Sequence, residues 1–174
     1  GRLIKAKAIT QGKILLAGPS DTVSLKKLIE KLEKNTDLIL IDGALSRKTF
    51  GSPSITQAMI LSTGASLSAS LNVVVKKTKF IYQMTQLPQY EGKHAEQLQQ
   101  IENGIYAITD EGIIDLKIPS LMMIDKYKDK IFTYGKRLFV AGALNDKFVQ
   151  LLKIQKNPQE IEIIIKDFTK IFAH

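Results

Sequence analysis

Residues 137–165 read as strand, tight turn, helix, strand, and that order constrains the fold more than any other feature of the chain. The run RLFVA at 137–141 is apolar and of strand length. Gly142, Ala143 and Leu144 then make a compact turn into Asn145 and Asp146, both residue types that start helices. Phe148, Leu151 and Leu152 follow on one helical face, and 161–165 is again a strong apolar strand. Strands alternating with helices in this way argue for an α/β sandwich with a largely parallel sheet.

The same alternation is expected upstream. Residues 3–9 and 13–17 read as two strands joined by Thr10-Gln11-Gly12, and Gly18-Pro19-Ser20-Asp21 breaks the chain. Leu25, Leu28, Ile29 and Leu32 recur at i, i+3, i+4, i+7 with Lys and Glu opposite, which predicts an amphipathic helix. The continuous apolar run 37–41 predicts a strand covered on both faces. From Ser54 the pattern turns helical, with Ile55, Met59 and Ile60 on one face. It then passes through the small residues 62–70 into an apolar stripe of Leu67, Leu71, Val74, Val75 and Ile81. Residues 91–103 form a polar helix candidate, and 104–109 with 112–118 a hairpin turning at Asp110-Glu111-Gly112. A short continuation at 170–172 follows a turn at Asp167. The expected fold class is therefore α/β: a three-layer sandwich with a largely parallel central sheet and antiparallel hairpin additions. Residues 1–174 are expected to form one such domain, a fragment of a longer protein, because the chain begins at Gly1-Arg2 and stops almost on a strand.

Composition narrows the function. With no cysteine there are no disulfides, thiolate metal sites or thiol nucleophiles, and no secretion signal is visible, so a cytoplasmic setting is expected. Every long apolar run is broken by Lys, Asp or Gln, so no membrane span is expected. The net charge of +8 would suit nucleic acid, but Arg occurs only at positions 2, 47 and 137 and Trp is absent. Scattered Lys without stacking aromatics is a solvated surface more often than a nucleic-acid groove.

Two segments carry the best site signal. LILIDGALS at 38–46 and LFVAGALN at 138–145 each run from an apolar strand into Gly-Ala-Leu and a polar residue. Ligands of open α/β sheets bind outside the carboxyl ends of strands. Asp42, Gly43, Ser46, Arg47, Lys48, Asn145 and Asp146 are thus candidate ligand-binding residues, with Ser20 a further anion-friendly turn residue. The alternative is that these positions only supply turn and capping chemistry. Asp42 has the position of a metal-coordinating aspartate of phosphate-loop hydrolases, but no G-x-x-x-x-G-K-[ST] occurs. Gly12-Lys13 and Gly92-Lys93 each lack the flanking residues such a loop needs. His94 and His174 have no partner at metal-ligand spacing, and no nucleophile elbow or other catalytic constellation is visible. The residues name no cofactor, although a nucleotide is compatible with such a crevice.

The segments LAGPS at 16–20, IDGALSRKTFGSPSITQAMILSTGA at 41–65, AGALND at 141–146 and IKDFTKIF at 165–172 together resemble a bacterial family. That family is similar to the reactivase subunit associated with the adenosylcobalamin-dependent lysine 5,6-aminomutase of anaerobic lysine fermentation. The resemblance implies a non-catalytic binding or docking domain of a larger reactivating factor. Its partner would be the aminomutase or a second reactivase subunit, and the small residues 62–70 a candidate packing surface. It brings no catalytic residues. The competing expectation is a nucleotide- or anion-binding domain of an ATPase whose phosphate loop lies outside this chain.

Overall fold

A computed structural model of the chain describes residues 6–15, 17–19, 21–43, 51–118 and 121–172. The chain divides into two compact units, Gly1–Ala58 and Met59–His174.

In the first unit the amphipathic repeat forms helix α1, Thr22–Leu32. Asp21 caps it, its Oδ1 accepting the Ser24 amide at 2.8 Å. That contact holds the Asp21 carboxyl below its ordinary value, with the Ser24 backbone hydrogen bond the largest cause. Leu25 is buried, and Leu28, Ile29 and Leu32 are half-buried on the same face. The expected strands of this unit do not form among its described residues. Residues 6–15 carry no strand, and Ile9, Ile14 and Leu15 are exposed. Residues 37–41 likewise lack one, with Leu38 and Leu40 exposed. An apolar run becomes a strand only when a neighbour completes its ladder of backbone hydrogen bonds, and among the described residues neither run has one. The helix expected from Ser54 is replaced by a turn, in which the Ser52 carbonyl accepts from the Ile55 and Thr56 amides at 2.9 and 3.0 Å. The Ser52 hydroxyl also accepts from the Ser54 amide at 3.3 Å, the local competition by which serines divert a chain from helix.

The second unit is mixed α/β. Helices α2 (Leu71–Thr85) and α3 (Ala95–Gln100) precede the hairpin β1 (Ile105–Ile108) and β2 (Ile113–Asp115). A 3-10 stretch at Leu121–Tyr127 runs into α4 (Lys128–Ile131), followed by β3 (Arg137–Val140), α5 (Asp146–Lys153) and β4 (Glu162–Ile165). The small residues 62–70 form no helix, and α2 starts only at Leu71. Gly64 and the serine hydroxyls around it, one of which accepts the Ser70 amide, favour turns over helix.

The four strands form one sheet in the order β2-β1-β3-β4. β3 and β4 pair in parallel, Leu138 opposite Ile163 and Val140 opposite Ile165, with α5 as the crossover. The other two pairings are antiparallel, so the expectation of a largely parallel sheet is corrected. The physical reason is that β1 is joined to β2 by a tight turn and sits between β2 and β3, so that among the described strands only β3 and β4, joined through α5, lie side by side in parallel. The hairpin does not decorate a parallel sheet from outside. Its first strand pairs directly with β3, Tyr106 opposite Phe139.

Strand alternation sends side chains to two faces. Ile105, Ala107, Leu138 and Val140 pack with Leu121, Ile124, Ile131, Phe148 and Leu151 on one. Ile108, Phe139, Ala141 and Ile164 pack with Leu98, Tyr90 and Ile101 on the other. The chain enters β1 through Gly104 at φ +101°, where an added Cβ would meet the Tyr106 ring at 3.0 Å. Glycine alone takes that conformation without strain.

Candidate functional site

The expected ligand residues fall in both units and in positions outside the described residues. Ser20, Ser46, Arg47 and Lys48 lie outside the described residues. Asp42 and Gly43 are exposed in the first unit. Asn145 and Asp146 open α5 in the second. The Asn145 side-chain oxygen accepts the Phe148 amide at 3.0 Å, and its carbonyl accepts the Val149 amide. Its oxygen is therefore engaged in capping, the structural alternative weighed for it above. Asp146 stands in the first turn of the helix, where a negative charge suits the helix dipole.

A polar pocket lies at the opposite end of β3. Because β1 runs antiparallel to β3, the end of β1 at Ile108 meets the start of β3 at Arg137. The hairpin turn and the segment before α3 close over that corner. Tyr90, Lys93, His94, Thr109, Asp110 and Arg137 line a cavity of about 190 Å³, with Gly92 and Ile108 completing it.

Thr109, Arg137 and one nitrogen of His94 have defined partners. Thr109 Oγ1 donates to the Gly112 carbonyl at 3.0 Å and accepts the Gly112 amide at 3.2 Å, so it is spent on the turn. The Arg137 Nε donates to Glu162, its cross-strand neighbour on β4. This hydrogen bond, then the charge of Glu162, raises the guanidinium pKa further above its usual value. The nearby Tyr90 and Asp110 act in the same direction. His94 Nδ1 lies 3.2 Å from Gln97 Oε1, a pairing satisfied by the tautomer with its proton on Nδ1. His94 Nε2 is shut off from solvent and has no hydrogen-bond partner among the described residues. The Tyr90 hydroxyl closes directly over Gly92, where an added Cβ would fall 2.0 Å from its oxygen and push the ring aside.

No protein-family model matches the chain, and neither does any curated protein or solved structure. The reading of function therefore rests on the chain itself.

Helix α2 presents a second surface. Leu71, Val75 and Tyr82 recur at helical spacing and are 74%, 55% and 61% exposed, while Val74 and Ile81 are buried. Lys76, Lys77 and Lys79 are exposed on the same helix, which contains no acidic residue. Among the described residues, no helix is long and apolar enough to cross a membrane, and no group of three His, Asp or Glu is arranged to hold a metal.

None of the lining residues of the pocket belonged to the expected site. His94 and Lys93 read as part of a polar helix and a failed phosphate loop. The signal that unites them with Arg137 is strand register, which apolar periodicity does not encode.

Proposed function

We propose that this chain is a non-catalytic binding and docking domain of a larger protein. One observation carries the reading: the apolar row Leu71, Val75 and Tyr82 on α2 faces solvent beside three lysines. An apolar row at helical spacing with charged flanks is the form in which one protein lays a helix against another. Exposed tyrosine with aliphatic neighbours is also the composition of residues that anchor interfaces. On the resemblance described above, the partner is the adenosylcobalamin-dependent aminomutase or a second subunit of its reactivating factor. A three-layer arrangement is the fold we infer to support this surface, and apolar packing on both faces of the sheet is what favours it.

Isothermal titration of the chain against purified lysine 5,6-aminomutase tests the reading. Binding is expected, together with at least tenfold weakening in a Val75→Glu/Tyr82→Glu double variant whose circular dichroism is unchanged. Absence of binding by the unmodified chain rejects the aminomutase as partner. Binding that the double variant leaves intact rejects α2 as the surface.

A further inference from the structure

We propose that the pocket between the Tyr90–His94 segment, the Thr109–Asp110 turn and Arg137 binds hydrogen phosphate, a tetrahedral oxyanion that carries its own proton. The inference is independent of the docking surface, because α2 contributes none of the lining residues.

The charge-bearing donors come first. Lys93 supplies an ammonium group. Arg137 has five N–H donors, and Glu162 takes the one on Nε. The guanidinium stays charged at any working pH, and its planar fork suits tetrahedral oxyanions. These two groups call for acceptor oxygens on the ligand.

The acceptors decide between oxyanions. The Gln97 Oε1 beside Nδ1 favours the tautomer with its proton there, in which the unpartnered Nε2 is the acceptor nitrogen. Asp110 lines the same cavity and, when ionised, is also an acceptor only. A fully ionised ligand without a proton to donate would leave Nε2 unpaired and meet Asp110 with like charge. Hydrogen phosphate offers acceptor oxygens to Lys93 and Arg137 and one O–H to Nε2 or Asp110. Sulfate has the same shape and charge but no proton at neutral pH. A carboxylate likewise brings no donor. Nε2 is covered as the side chains stand, so a ligand reaches it through a rotamer change in the lining, of the kind that binding surfaces commonly make. The cavity, about 190 Å³, has room for an inorganic oxyanion and is too small for most drug-sized ligands.

The test is a titration of the full chain, followed by amide and side-chain chemical shifts, with inorganic phosphate, sulfate and glycine at neutral pH. Phosphate is expected to shift Lys93, His94, Thr109 and Arg137 and to bind about tenfold tighter than sulfate, the usual effect of one unmatched buried hydrogen bond. His94→Phe keeps the ring volume and removes the acceptor. It should weaken phosphate about tenfold and abolish the preference over sulfate. Lys93→Gln should weaken both anions alike, and Gly92→Ala should displace the Tyr90 ring and report on the same residues. Equal affinity for phosphate and sulfate overturns the proposal, as does a preference that survives His94→Phe. Binding of glycine in place of phosphate reassigns the pocket to zwitterions and overturns it too. No shift at these residues with any of the three at millimolar concentration also rejects it.

Discussion

Replacing Asn145 by alanine separates the two readings of the turn before α5. The structure assigns the Asn145 side chain a single visible task, accepting the Phe148 amide at 3.0 Å. Removing an N-cap acceptor costs about 1 kcal/mol. The loss is confined to the cap, because the backbone around it is held independently. Leu144 donates to the Lys170 carbonyl at 2.7 Å, and Phe172 donates back to the Leu144 carbonyl at 2.8 Å. With a urea slope of about 2 kcal/mol/M, the midpoint of Asn145→Ala should fall by about 0.5 M. Asn145→Asp retains an acceptor and should stay within a few tenths of a kcal/mol of the parent. The residue-specific measurement is amide hydrogen exchange at Phe148, which should accelerate in the alanine variant and not in the aspartate one. Unchanged exchange and an unchanged midpoint in Asn145→Ala would refute the capping assignment and return Asn145 to the list of ligand residues. So would Asn145→Asp proving as damaging as alanine.

Two further outcomes are expected. Phe148 is fully buried where α5 meets the sheet, so Phe148→Ala should cost about 3–5 kcal/mol, read as loss of the cooperative unfolding transition or a large fall in midpoint. The Asp115 carboxyl is held below its ordinary value first by the Lys117 side-chain hydrogen bond, then by the Lys117 amide. Its folded pKa is thus lower than its unfolded one. The contribution is present above the unfolded value of about 4 and disappears as pH falls through the folded one. Asp115→Asn should therefore lower stability near neutrality and flatten its dependence on pH below about 4, which urea melts at pH 7 and pH 3 would show.

What the sequence reveals depends on how local the deciding interactions are. The strands at Arg137–Val140 and Glu162–Ile165, the helix Asp146–Lys153 and the hairpin turning at residues 109–112 are all legible, because apolar alternation, a capping asparagine and a glycine turn specify them within a few residues. The runs at 6–9, 13–15 and 37–41 are equally apolar, yet they form no strand, since strand formation depends on a neighbour that composition does not name. Strand order was hidden for the same reason. The helix crossover announces the parallel β3–β4 pair, while the insertion of β1 beside β3 is a long-range choice. The expected site fared according to the same rule. Asn145, a candidate ligand residue, caps α5, and capping is chemistry that a few neighbouring residues specify. The pocket assembles residues from 90 to 137 through antiparallel register, so no window of the sequence contains it.

The two proposed surfaces also make a joint claim that neither makes alone. The positive charge of the chain is unevenly occupied: Lys117, Lys128, Lys136 and Arg137 sit in ion pairs, whereas Lys76, Lys77 and Lys79 stand in none of them. Arg137 reaches the pocket already neighboured by Glu162, so an anion there adds charge to a balanced cluster and is selected by hydrogen-bond matching more than by attraction. Among the described residues the lysines of α2 stand in no ion pair, and contacts made by them should weaken with salt. Raising ionic strength should then erode partner binding at α2 while leaving the phosphate-over-sulfate ratio at the pocket nearly constant, because both anions are screened alike. If instead phosphate tightens partner binding, the partner must tighten phosphate by the same factor. That reciprocity would make the pocket the regulatory input of the docking surface, and its absence would leave them two independent functions of one unit.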